Sequence, residues 1–167
     1  MTKGHYVVMG VAGSGKSLIG SSLARALGVE FLEGDDFHTA QSIEKMSAGI
    51  PLTDDDRAGW LQTLALRLRT ADETGDGVVI ACSALKKSYR DILRAGAPDT
   101  RFIFLTGPPD LIGQRLANRG GHFMPASLLD SQLATLEVPS YDENAWVVDV
   151  RAPVEEIVSD LVARASL

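Results

Sequence analysis

The chain has 167 residues, 45% apolar and 23% charged, a balance that suits one folded domain over residues 1–167 with a sizeable core and argues against disorder over most of its length. A net charge of −6 argues against a dedicated nucleic-acid binder with a basic face. The single cysteine, Cys82, rules out an internal disulfide and fits a reducing, cytoplasmic setting.

In chain order, His5 to Met9 is a short apolar run ending at Gly10 and reads as a buried strand. The run continues into Gly13 and Gly15 and offers no small-residue cleavage site, so it is not read as a signal peptide. Lys16 to Leu27 is helical, with Ile19, Leu23, Ala26 and Leu27 on one face and Gly28 as its C-terminal cap. Val29 to Leu32 reads as a second strand, and Ser42 to Ala48 as a helix broken by Gly49-Ile50-Pro51. Thr53 is the expected N-cap of a helix reaching about Thr70, with Asp54, Asp55 and Asp56 in its first turn and Trp60, Leu61, Leu64 and Leu68 facing a core. Val78 to Cys82 and Arg101 to Leu105 are further strands, and Ala84 to Ala95 and Pro109 to Asn118 further helices. A helix at Ala126 to Leu136, a strand at Ala145 to Val150 and a helix opened by Pro153 complete the chain. Strands alternating with helices imply an α/β fold, a five-stranded parallel sheet covered on both faces. No run approaches the roughly 20 apolar residues of a membrane span.

One motif carries chemistry on its own. Gly10-Val11-Ala12-Gly13-Ser14-Gly15-Lys16-Ser17 fits the P-loop pattern, lying between an apolar strand and a helix. Its glycines let the backbone curl so that N–H groups from Gly10 to Leu18 point at phosphate oxygens, and the loop feeds a helix N-terminus. Lys16 is expected to reach the β- and γ-phosphates of ATP and Ser17 to offer its hydroxyl to Mg²⁺. The chain contains no guanine-reading Asn-Lys-x-Asp sequence. Arg115 and Arg119 are four apart beside Gly120-Gly121, a place for a lid over about 115–130 whose arginines clamp the transferred phosphoryl group.

Several stretches together resemble the gluconate kinases, P-loop small-molecule kinases. They are the P-loop itself; Gly34-Asp35-Asp36-Phe37-His38; Lys45-Met46 with Gly49 to Arg57 and Trp60-Leu61; Cys82 to Lys87 with Tyr89-Arg90-Asp91; and Arg119 to Pro125 continuing into Ser131-Gln132 and Leu136-Glu137. The likeness runs from about residue 5 to residue 150. It implies a nucleoside-monophosphate-kinase-like fold with a substrate-binding helical region at about 36–70 and a lid. It further implies transfer of the γ-phosphate of ATP to D-gluconate, and a homodimer. Thr39 stands where the family usually has proline, and Ser42 where it usually has asparagine.

Within this reading Asp35, following the second strand, orients or deprotonates the attacking hydroxyl or holds a water of Mg²⁺. Gluconate has one carboxylate, so its site needs a cation, and Arg57, Lys86 and Arg90 are the candidates, Lys86 and Arg90 sharing a helix face at i,i+4. His38, Lys45, Ser83 and His122 complete the substrate set; Cys82 is a buried apolar residue rather than a nucleophile. Two other readings stay open: a P-loop kinase of shikimate, a nucleotide or a different sugar acid, and a nucleotide-dependent switch with no transferred product.

Overall fold

The computed structural model describes residues 3–117 and 126–166. Its five strands, β1 (His5–Met9), β2 (Glu30–Glu33), β3 (Val78–Ala81), β4 (Arg101–Thr106) and β5 (Ala145–Asp149), form one parallel sheet in the order β2-β3-β1-β4-β5. Seven helices occur among the described residues: α1 (Lys16–Leu27), α2 (Ala40–Ser47), α3 (Asp54–Thr74), α4 (Lys87–Gly96), α5 (Pro109–Ala117), α6 (Ala126–Thr135) and α7 (Val154–Ala165).

Side chains alternate across a strand, and here the alternation divides the apolar residues into two cores. Tyr6 and Val8 of β1, with Val79, Ile103, Leu105 and Val148, pack against Ile19 and Leu23 of α1 and Ile157 and Leu161 of α7. Val7 and Met9 of the same strand, with Val78, Ile80, Phe102 and Phe104, pack against Trp60, Leu61, Leu64 and Leu68 of α3 and Leu93 of α4. Helices therefore cover both faces, and β1 is the buried centre of a three-layer α/β fold. Every large side chain just named on α3 is at most 4% exposed, and each such burial contributes roughly 1.5–3 kcal/mol.

Local chemistry sets the helix ends. Thr53 caps α3 in a reciprocal box, accepting from the Asp56 N–H while the Asp56 carboxylate accepts from the Thr53 N–H. Thr39 caps α2 by accepting from the Ser42 N–H at 3.1 Å. Several element ends differ from the sequence reading, α3 for one running on to Thr74, and two of the differences lie beside the P-loop cavity. β2 is shifted one residue, ending at Glu33. The fourth helix begins at Lys87 rather than Ala84, because Ala84 takes a left-handed φ of 46° and Lys86 is extended at φ −101°, ψ 146°. The second difference matters for the site.

Candidate functional site

The C-terminal ends of β1, β2 and β3 open on one side of the sheet, beside the point where strand order reverses, which is where open α/β sheets bind ligands. The P-loop joins β1 to α1. Gly10, Gly13 and Gly15 all have positive φ, and a Cβ at Gly10 would lie 2.8 Å from Ser14 Oγ and 2.9 Å from the Leu105 carbonyl oxygen. No L-side chain fits that turn.

Ala12, Gly13, Gly15, Lys16 and Ser17 line a cavity of about 130 Å³ together with Glu33, Asp35, Ala81, Cys82, Ser83 and Gln132. Three separate strand ends thus bring a phosphate-binding loop, two carboxylates and a serine to one small space. The Ser17 hydroxyl donates to Glu33 Oε2, and Lys16 Nζ donates to the Val11 carbonyl at 3.1 Å. Hydroxyl and carboxylate oxygens are hard donors of the kind Mg²⁺ takes, alongside phosphates and water. Among the described residues no group of three or more acidic, His or Cys side chains could hold a metal alone. Glu33 was not singled out in the sequence; its only signal there is a carboxylate directly before Gly34-Asp35.

Asp35 sits on a short 3-10 turn, Gly34–Phe37, with its side chain 80% exposed towards the cavity mouth. Two contacts fix that turn. Gly34 lies against β3 so closely that a Cβ would collide with the Ala81 carbonyl. Trp60 Nε1 donates to the Gly34 carbonyl at 2.7 Å. His38 stacks on the Trp60 ring at 4.2 Å and 18°, placing Nε2 3.8 Å from Asp35 Oδ1. His38 is therefore next to the carboxylate expected to meet the hydroxyl.

A second charged group forms where α3 meets the residue before α4. Tyr89 Oη donates to Asp54 Oδ1 at 2.7 Å. Arg57 Nη1 lies 3.7 Å and Lys86 Nζ 3.6 Å from the same oxygen, and both cations stand over the Tyr89 ring, at 5.9 and 5.5 Å. The Tyr89 hydrogen bond, then Lys86 and Arg57, hold the Asp54 carboxyl below its ordinary range, while burial and the bond to Asp54 push the Tyr89 phenol up. Two cations on an aromatic floor, each a third exposed, can receive a ligand carboxylate.

Arg90, expected beside Lys86 in the substrate set, is elsewhere. It is fully buried and ion-paired to Glu143, with Nε 2.8 Å from Oε1. Its remaining donors go to the carbonyls of Ala84, Leu85 and Glu137. Because the helix starts at Lys87, the i,i+4 face rule does not connect Lys86 to Arg90, and the two side chains diverge. Lys45 pairs with Asp56 at 3.0 Å, half committed to the α3 cap. Thr39 and Ser42 bond to each other, hydroxyl to hydroxyl at 3.0 Å, and neither lines the cavity at Asp35. The two departures from the family pattern thus make a single helix cap. Cys82 is buried and its thiol is pushed up to about 12, chiefly by desolvation, so it is not a nucleophile.

On the other side of the P-loop, a cleft of about 520 Å³ is lined by Gly13, Ser14, Ser17 and Leu18 with Arg115 of α5 and the segment Val150–Val154. Arg115 thus meets the nucleotide loop from its outer side. Arg119, His122 and the middle of the expected lid, residues 118–125, lie outside the described residues.

Fold and site together define a P-loop phosphotransferase. Residues 6–139 match the family model described as an AAA domain. The thermosensitive gluconokinase of Escherichia coli is 47% identical over 156 residues, covering 91% of this chain and 82% of that protein. The thermoresistant gluconokinase of the same organism is 46% identical, covering 94% and 90%. A gluconokinase crystal structure from Sinorhizobium meliloti superposes with a TM-score of 0.87 at 48% identity, covering 99% of this chain and 93% of that one. The chain belongs to the gluconokinase family.

Proposed function

We infer that this protein transfers the γ-phosphoryl group of ATP to the terminal hydroxyl of D-gluconate, giving 6-phosphogluconate and ADP. The observation that carries the reading is the shared cavity in which Asp35 meets Lys16 and Ser17, with the Arg57–Lys86 pair nearby on α3 and the segment entering α4. A sugar acid places a hydroxyl at one end and a carboxylate at the other, and the two clusters answer those ends.

The P-loop N–H groups and Lys16 bind the phosphates. Asp35 accepts the hydroxyl proton as the substrate oxygen attacks phosphorus in line and the bond to the leaving ADP oxygen breaks. Arg57 and Lys86 take the carboxylate, with Asp54 and Tyr89 setting their spacing. Ser17 and Glu33 fit Mg²⁺, which when bound neutralises charge on the β- and γ-phosphate oxygens. Residues 1–167 act as one domain in this scheme, with Arg115, Arg119 and His122 on the lid side. The net charge of −6 suits a metabolite enzyme of the cytoplasm with no nucleic-acid partner, and no described helix is long and apolar enough to cross a membrane.

Purified protein with ATP and Mg²⁺ should release ADP on addition of gluconate, with 6-phosphogluconate as product. Stimulation by shikimate, a nucleoside monophosphate or another sugar acid in its place would overturn the substrate. Slow ATP hydrolysis indifferent to every acceptor would overturn the transfer.

A further inference from the structure

Of the polar side chains lining the cavity at the P-loop, Ser83 and Gln132 have no part in the scheme above, and Gln132 is the one held by the P-loop itself. Gln132, on α6, reaches back across 120 residues of sequence so that its Oε1 accepts the Ala12 N–H at 2.6 Å. An N–H can be met only by the carbonyl end of the amide, which assigns the other branch, Nε2, as the donor end. Nε2 makes no hydrogen bond to protein among the described residues, while Gln132 lines the same small space as Lys16, Ser17, Asp35 and Ser83.

The helix that carries Gln132 is anchored on both flanks. Leu129 is buried in the core between the sheet and α1. Just past the helix end, the Glu137 N–H donates to the Leu85 carbonyl at 2.8 Å, and the Glu137 carboxylate accepts the Lys87 N–H at 2.8 Å. Arg90 adds a bond to the Glu137 carbonyl at 2.9 Å. Gln132 is therefore fixed with respect both to the nucleotide loop and to the segment Ser83–Lys86 that faces the acceptor.

We propose that Gln132 is a catalytic residue whose side-chain amide donates a hydrogen bond to the phosphoryl group during transfer, its carbonyl end locked on Ala12. An oriented donor aimed at a group whose charge is shared among equatorial oxygens stabilises the transition state more than the ground state. The proposal rests on the kinase reading, though not on which acid is the acceptor.

The discriminating variant is Gln132→Glu. It retains an acceptor for the Ala12 N–H and so keeps the anchor, but its carboxylate cannot donate. The expected result is a fall in kcat of about 10²-fold, with KM for ATP within about twofold and the melting temperature unchanged. Gln132→Ala should lose kcat to a similar degree. The alternative, a purely structural tie, predicts near-wild-type kcat for Gln132→Glu and a lowered melting temperature for Gln132→Ala, and that pattern would overturn the proposal. If wild-type protein ignores gluconate, the substrate reading fails by itself, and Gln132 is then judged by titration with ADP·Mg²⁺ with and without aluminium fluoride. Selective weakening of the fluoride complex in Gln132→Glu supports the role, and equal affinities of wild type and variant for that complex refute it.

Discussion

Replacing Glu143 by Gln tests whether Arg90 belongs to the framework or to the substrate. Glu143 is 3% exposed and receives Arg90 Nε at 2.8 Å, Arg94 Nη2 at 3.0 Å and the Ser140 N–H at 2.8 Å. Burial alone would raise its pKa; the Arg90, Ser140 and Arg94 hydrogen bonds outweigh that and hold it at about 2, from an ordinary 4.5. A depressed carboxyl stabilises the fold above the unfolded-state value, and its contribution is lost as pH falls from about 4.5 towards about 2. That difference is worth about 3 kcal/mol at neutral pH, and removing one partner of a buried pair costs about 3–5 kcal/mol by mutation. Urea titration at pH 7 should show Glu143→Gln destabilised by about 3 kcal/mol, a loss of about 6–12 °C in melting temperature for a domain of this size. Repeated towards pH 3, the gap between variant and wild type should narrow. At permissive temperature KM for gluconate should stay within about twofold, since Arg90 does not reach the cavity. A Glu143→Gln protein as stable as wild type, or an Arg90→Ala protein of normal stability with a selectively raised KM for gluconate, would refute the reasoning.

Lys16→Ala should abolish turnover with little change in melting temperature, and Asp35→Asn should lower kcat far more than ATP affinity; near-normal kcat in either removes that residue from the chemistry. Arg57→Ala and Lys86→Ala should each raise KM for gluconate by about tenfold or more with little effect on KM for ATP, as expected when a charge partner of a bound carboxylate is lost. Cys82 should resist alkylation by iodoacetamide at pH 8 in native protein and react only on unfolding, because its thiol is buried and pushed up to about 12; rapid native modification would contradict its placement.

The fold was largely legible, because each determinant is local and repeats. Short continuous apolar runs mark the strands, the Trp60–Leu61–Leu64–Leu68 spacing marks the core face of α3, and Thr53 with Asp56 marks its start. The P-loop was legible for a different reason: its glycines and lysine are contiguous. What escaped was set by tertiary geometry. Arg90 shares a face with Lys86 only in a helix that starts at Ala84; the left-handed Ala84 delays the start to Lys87, and a face rule holds only inside a helix. Glu33 falls just past the strand as read from the sequence; its contact with Ser17 exists because β1 and β2 end on the same side of the sheet. Gln132 meets Ala12 across most of the chain, and no periodicity announces such a pair, although Ser131-Gln132 falls within the stretches that resemble the gluconate kinases.

The indole of Trp60 has a practical consequence. The chain has two tryptophans. One is sealed in the core, hydrogen-bonded to the turn that carries Asp35 and stacked on His38. The other, Trp146, lies on β5 at the far edge of the sheet from β2, under the guanidinium groups of Arg101 and Arg164. Their emission therefore reports on two different places. With Trp146 changed to Phe, the remaining fluorescence comes from a single chromophore beside the Asp35 turn, and a change in that emission on adding gluconate is the expected readout of binding on unlabelled protein.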